Sequence, residues 1–246
     1  MSGVKGFFEL SRARPVQPPT EATAEHPAAE RPTDEHGRSE HIAGPAEVFD
    51  ALGADYERSF AHSPGHHESL RRLLAELAPG SNVLDLGCGT GRPTARTLVD
   101  AGHHVLGVDI SPVMVDIAAR QVPGGSFVCA DVRTFDLADG SYDAVCVYFS
   151  LLQMSRDEQT RLLNRVARAL VPGGRLAIAT VPLDVNGLTV EFMGHPVRVT
   201  SFDAEAFTAA VTGAGFTVRW SHQATLEPAD PNWPAEPHLF LLCERT

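Results

Sequence analysis

A chain of 246 residues, 43% of them hydrophobic, can bury one sizeable core, and its length alone permits one domain or two. Lys and Arg number 20 against 31 Asp and Glu, a formal net charge of −11. That balance argues against a nucleic-acid substrate, because phosphate contacts demand a basic footprint. No run approaches the ~18 apolar residues of a membrane span, and the N-terminus lacks an apolar stretch of signal-peptide length. The four cysteines (Cys88, Cys129, Cys146 and Cys243) form no Cys-x-x-Cys pair and read as reduced thiols, not as a disulfide frame or zinc site. A cytoplasmic compartment is the expectation.

Residues 1–44 read as a disordered extension. Pro15, Pro18, Pro19, Pro27 and Pro32 alternate with Glu, Ala, Thr and Arg, and no apolar period survives. Only Gly6-Phe-Phe-Glu-Leu10 has the character of a docking patch. A domain is expected over 45–246. It opens on a helix in which Val48, Leu52, Tyr56 and Phe60 recur every four residues. A second helix carries Leu70, Leu73, Leu74 and Leu77 and stops at Pro79-Gly80.

Strands and helices then alternate. Strands are predicted at 82–86, 104–108, 126–130, 142–148 and 175–181. Helices are predicted at 93–101, at 112–121 with Ser111 as cap, and at 156–170 behind the capping box Ser155-x-x-Glu158. This order implies right-handed βαβ units and a parallel sheet covered on both faces. The last third departs from it. Residues 188–200 read as a hairpin turning near Gly194, followed by a helix at 203–212 and strands at 216–222 and 238–243. The last two strands have no helix between them and must pair antiparallel.

The most informative run is Val83-Leu-Asp-Leu-Gly-Cys-Gly-Thr-Gly-Arg-Pro93. An apolar strand enters three glycines, Gly87, Gly89 and Gly91, with Cys88 and Thr90 between them, and a helix opens near Pro93. Such a turn lets backbone approach a ligand closely. A dinucleotide fingerprint would place its third glycine at Arg92. Asp85, inside the strand, would repel a pyrophosphate but accept from a cation such as an α-amino group.

Asp-Leu-Gly-Cys-Gly-Thr-Gly resembles the first motif of class I S-adenosylmethionine (SAM) dependent methyltransferases, and Leu170-Val-Pro-Gly-Gly174 is a second motif of that superfamily. The resemblance spans roughly residue 46 to the C-terminus. It implies an α/β Rossmann-like three-layer αβα sandwich, with a seven-stranded, mostly parallel sheet whose last strand is antiparallel. SAM is the implied cofactor. Phe49-Asp-Ala-Leu-Gly-Ala-Asp-Tyr-Glu57 is similar to the lid segment of small-molecule and ubiquinone-type members, and Tyr56 keeps the phenol that could close over the methionine carboxylate.

Ligands of open parallel sheets bind at the carboxyl ends of strands. Asp109 lies 18 residues beyond Gly91, the usual reach to ribose hydroxyls, with Ile110 and Met114 beside it to sandwich an adenine ring. Asp131 resembles the family's adenine-amino acceptor, with the Val132 N–H reaching the ring. Tyr148 to Gln153 should line the gap between donated methyl and acceptor. No Asn/Asp-Pro-Pro-Tyr/Phe motif and no Pro-Cys nucleophile occur there, which again points away from nucleic acid. Phe149, Phe192 and His195 are the candidate acceptor contacts, and the aromatics suit an apolar or aromatic scaffold such as a secondary metabolite. His62, His66, His67 and His195 are the histidines near the predicted mouth, His195 being favoured as a base. No catalytic triad and no metal-ligand spacing emerge. Methyl transfer to a small molecule is the expected function. A SAM-binding module or cyclase without methyl transfer remains as an alternative, and an NAD-dependent oxidoreductase is disfavoured by Asp85 and Arg92.

Overall fold

The computed structural model describes residues 42–60, 63–227 and 235–246. Residues 1–41 of the predicted extension, with its Gly6-Phe-Phe-Glu-Leu10 patch, and His62 lie outside the described residues. The first helix pair is α1 (Pro45–Leu52) and α2 (Ala54–Phe60), followed by α3 (Pro64–Glu76). The alternating region holds β1 (Asn82–Leu86), α4 (Thr94–Asp100), β2 (His104–Asp109), α5 (Pro112–Gln121), β3 (Ser126–Cys129), β4 (Tyr142–Tyr148), α6 (Arg156–Ala169) and β5 (Leu170–Thr180). The hairpin β6 (Val185–Phe192) and β7 (His195–Ser201) follows, then α7 (Ala204–Gly213), β8 (Phe216–Leu226) and β9 (Glu236–Arg245).

The seven-stranded sheet has the order β3-β2-β1-β4-β5-β9-β8, and the hairpin forms a separate two-stranded sheet. Strands β1 to β5 pair parallel, whereas β9 pairs antiparallel with both β5 and β8. The last strand therefore inserts between β5 and β8, and the expected fold class holds. Period-two alternation sends successive residues to opposite faces. Leu84, Leu86, Val145 and Val147 pack with residues of α6 and α7, while Val83, Ala144, Cys146 and Tyr148 pack with residues of α3 and α4. These two clusters make the three layers. A third, small cluster of Val48, Leu52 and Val197 joins α1 to the hairpin, with Phe49, Tyr56, Val190 and Phe192 packed on it.

Three predicted boundaries move, each for a local reason. The single helix expected from Pro45 breaks at Gly53, whose φ of 47° no helix accepts, and this frees Tyr56 from the α1 stripe. Helix α4 starts at Thr94, so Pro93 occupies the capping position rather than the first turn. Strand β5 begins at Leu170 and runs through the expected turn, a register shift opposite Tyr142–Ala144 absorbing Val171 to Gly174.

Candidate active site

The site grows from the carboxyl end of β1. There the chain leaves the sheet at Gly87, whose N–H and that of Cys88 both donate to the Val108 carbonyl, at 2.7 and 3.1 Å. Gly87 has φ 76°, and a Cβ on it would lie 2.2 Å from the Ser150 Cβ. Only glycine satisfies both conditions. Ser150 comes that close because its hydroxyl donates to the Leu86 carbonyl at 2.8 Å, tying the ends of β4 and β1 together.

Asp109, at the end of β2, organises the loop. Its Oδ2 accepts from Gly89 N–H at 2.8 Å and its Oδ1 from Ser111 N–H at 2.9 Å. Burial raises its pKa, against the downward pull of these backbone bonds. Ser111 caps α5 by accepting from Met114 N–H at 3.0 Å, and its hydroxyl donates to Asp50 of α1 at 2.5 Å. Asp50, the second residue of the lid-like segment, thus pins the first helix to the start of α5.

Asp85 is only 2% exposed, and its Oδ2 has no hydrogen-bond partner. Burial first, and the neighbouring Asp109 second, push its carboxyl up to about 8. A buried oxygen left unmatched is costly and calls for a ligand donor.

A cavity of about 1520 Å³ opens over these residues. Of the predicted cofactor contacts, Asp85, Gly87, Cys88, Gly89, Thr90, Asp109, Ile110 and Met114 all line it. Tyr56, Asp131, Val132, Tyr148 and Gln153 line it too, as do the predicted acceptor contacts Phe149 and Phe192. Two predicted residues do not. Gly91 faces α5, where a Cβ would stand 3.1 Å from Val122 and 3.3 Å from Ala118, so it serves helix packing. His195 pairs with Phe192 at the hairpin turn and contributes nothing to the cavity wall.

Asp131 is already engaged. Both of its oxygens accept from Arg133, which also reaches Glu158, and this pairing holds the Asp131 carboxyl below the usual range. Tyr148 shares a 2.8 Å hydrogen bond with Ser69, and its ring packs 4.0 Å from His66. His66 meets Thr94 Oγ1 at 3.0 Å through Nε2. Burial, then His67 and His238, push His66 down to about 3, so it stays neutral and is a weak base. Tyr56, Phe60, Phe49 and Phe192 form an aromatic wall, with centroids 5.0 Å apart for Tyr56–Phe60 and 6.1 Å for Phe60–Phe192. Burial and the charges of Glu236 and Asp109 raise the Tyr56 phenol, which keeps its proton and remains a donor.

The sequence reading missed Glu236 and His238, which also line the cavity. Their i, i+2 spacing on a closing strand was the available signal.

Residues 83–174 match a family model described as a methyltransferase domain. The demethylmenaquinone methyltransferase of Corynebacterium urealyticum is 36% identical over 140 residues, covering 54% of this chain and 58% of that protein. Over the region that these matches cover, the chain is similar to class I SAM-dependent methyltransferases. It spans less than two thirds of the length of that relative and of the Renibacterium salmoninarum enzyme of the same name, 58% and 57%. The methyltransferase fold recurs in the Burkholderia thailandensis 1,6-didemethyltoxoflavin-N1-methyltransferase, solved with 1,6-didemethyltoxoflavin and S-adenosylhomocysteine bound. That structure gives a TM-score of 0.61 at 23% identity and covers 84% of this chain and 92% of that one. Among the described residues, no helix is long and apolar enough to cross a membrane.

Proposed function

We propose that this chain moves the methyl group of SAM to a small, apolar, ring-bearing acceptor held beneath the hairpin. One observation carries the reading. The same cavity is lined by the unpartnered Asp85 and by the apolar wall of Phe49, Phe60, Leu188, Val190 and Phe192. Pockets of roughly 300–1,000 Å³ hold one drug-sized ligand. At about 1520 Å³ this one has room for a nucleoside and a second molecule. The demethylmenaquinone and didemethyltoxoflavin enzymes are named for small-molecule acceptors, which supports the same class here.

The residues fit SAM. Asp85 would take its α-amino group, giving the orphan Oδ2 a cationic donor. Asp109 has acceptor capacity left on both oxygens for ribose hydroxyls, since each now accepts one backbone bond. Ile110 and Met114 would flank the adenine. Asp131 and the Val132 N–H would meet the ring's polar edge, Asp131 sharing itself with Arg133. Tyr56, kept protonated, would donate to the methionine carboxylate. SAM supplies an electrophilic methyl on a cationic sulfur, and the protein's part is to align the acceptor in line with it and exclude water. Such positioning is worth about 7–11 kcal/mol of barrier when the reacting atoms are held near contact.

The test is incubation of the full chain with methyl-labelled SAM and a panel of aromatic hydroxy and amino compounds. Label should appear in a small organic product and not in DNA or RNA. Tight SAM binding with no label transferred to any compound would favour a SAM-binding module or cyclase instead.

A further inference from the structure

Because β9 alone runs antiparallel, its first residues lie at the edge where β1, β2 and β4 end. Glu236, His238 and Phe240 share one face of that strand by its period of two. We propose that His238 is the catalytic base of this site, that Glu236 is its positioning residue, and that the acceptor consequently presents a protonated hydroxyl. This rests on the methyl-transfer reading above.

Three observations carry it. His238 is 3% exposed yet lines the cavity, as does Glu236. The imidazole Nε2 lies 2.8 Å from Glu236 Oε1. A carboxylate accepting from Nε2–H fixes the tautomer and leaves the lone pair on Nδ1. The ring is also held in place: Phe149 packs 4.4 Å from it and Phe240 5.9 Å. Phe149 does so from φ 58°, a left-handed conformation rare for a bulky residue, stabilised by its N–H donating to Ala179 at 2.9 Å. Backbone strain of this kind collects where side-chain aim matters. The rival imidazole, His66, has its Nε2 committed to Thr94.

The step balances without a further reactant. Nδ1 takes the acceptor's hydroxyl proton, the oxygen's freed pair bonds to the methyl carbon, and the pair of the broken carbon–sulfur bond stays on sulfur. Glu236 offsets the imidazolium charge until the proton returns to water. A base of this kind contributes roughly 10²- to 10⁴-fold.

The experiment compares the full chain with its His238→Asn and Glu236→Gln variants on 2-naphthol and on 2-naphthalenethiol, which has the same shape but ionises without help. His238→Asn should lose about 10²-fold or more in kcat on the naphthol, retain activity on the thiol, and bind SAM within about two-fold of the parent. Glu236→Gln should lower kcat on the naphthol with KM unchanged. Ring ¹⁵N spectra of the parent should show His238 protonated at Nε2, with the Gln variant mixing the two tautomers. Equal losses on both acceptors, or an Nδ1–H tautomer in the parent, would overturn the pair. If the parent methylates neither probe, the methyl-transfer reading loses support, and the tautomer then decides the pair by itself.

Discussion

Replacing Asp85 by asparagine should make the free protein more stable at neutral pH while removing its grip on SAM. The carboxyl sits near 8 in the folded chain against an ordinary 3.8, chiefly because it is buried and secondarily because Asp109 faces it. A group raised on folding contributes fully below its unfolded value. That contribution falls as pH rises and is gone once pH passes the folded value. The Asp85 contribution to wild-type stability should therefore decline between about pH 4 and pH 8, by up to about 1.4 kcal/mol per unit. Asparagine keeps the shape and cannot ionise, so the gap between its melting temperature and that of the wild type should shift in favour of the variant as pH rises through that range, leaving the variant higher at the upper end. SAM binding should weaken by about 1.5–3 kcal/mol or more, the worth of a hydrogen bond to a charged group. SAM binding by the wild type should also tighten toward pH 8, as the cation draws the proton off Asp85. A variant that melts lower than wild type at pH 8 and binds SAM equally well would remove Asp85 from the site.

Asp109→Ala should weaken SAM as well, by about 1.5–3 kcal/mol for each charge-assisted ribose bond lost. Its effect on the free protein should be the reverse of that at Asp85. The alanine strands the Gly89 and Ser111 N–H groups, which now donate to the two carboxylate oxygens, and each orphan costs about 1–3 kcal/mol where buried. Two aspartates lining one cavity thus differ in sign: one is an unmatched carboxyl awaiting a ligand, the other already part of the loop's frame. Thermal melts of both variants, with and without SAM, measure this directly. If Asp109→Ala left the melting temperature unchanged and SAM affinity intact, the acid would be neither a ribose contact nor a support for the glycine loop.

How much of this was legible in the sequence depends on distance along the chain. That Asp85, Gly87 and Asp109 gather at one cavity could be read because a strand end and its loop are local, and the alternation of elements brings successive strand ends to one edge. Tyr56 lines the cavity as expected, although the helix that carries it breaks at Gly53. Two expected contacts lie outside the cavity, and lining residues on the closing strand were passed over. Gly91 belongs to a ligand motif by spacing, yet only the tertiary approach of Ala118 and Val122 reveals its packing role. His195 was chosen for the hairpin it sits on, but a residue beside a turn can face away from what its strand covers. His238 was overlooked because its relevance depends on β9 entering the sheet backwards between β5 and β8, which carries the start of the strand to the ligand edge. Periodicity reports which face a side chain takes. It does not report which edge a late strand presents.

The most direct measurement is a crystal structure of the full chain with S-adenosylhomocysteine bound. The α-amino group should lie on Asp85 Oδ2 and the ribose hydroxyls on Asp109, with open space between the sulfur and the aromatic wall of Phe49, Phe60 and Phe192, and His238 bordering it. A nucleoside bound away from Asp85 and Asp109, or a thioether sulfur sealed off from that wall, would contradict this arrangement.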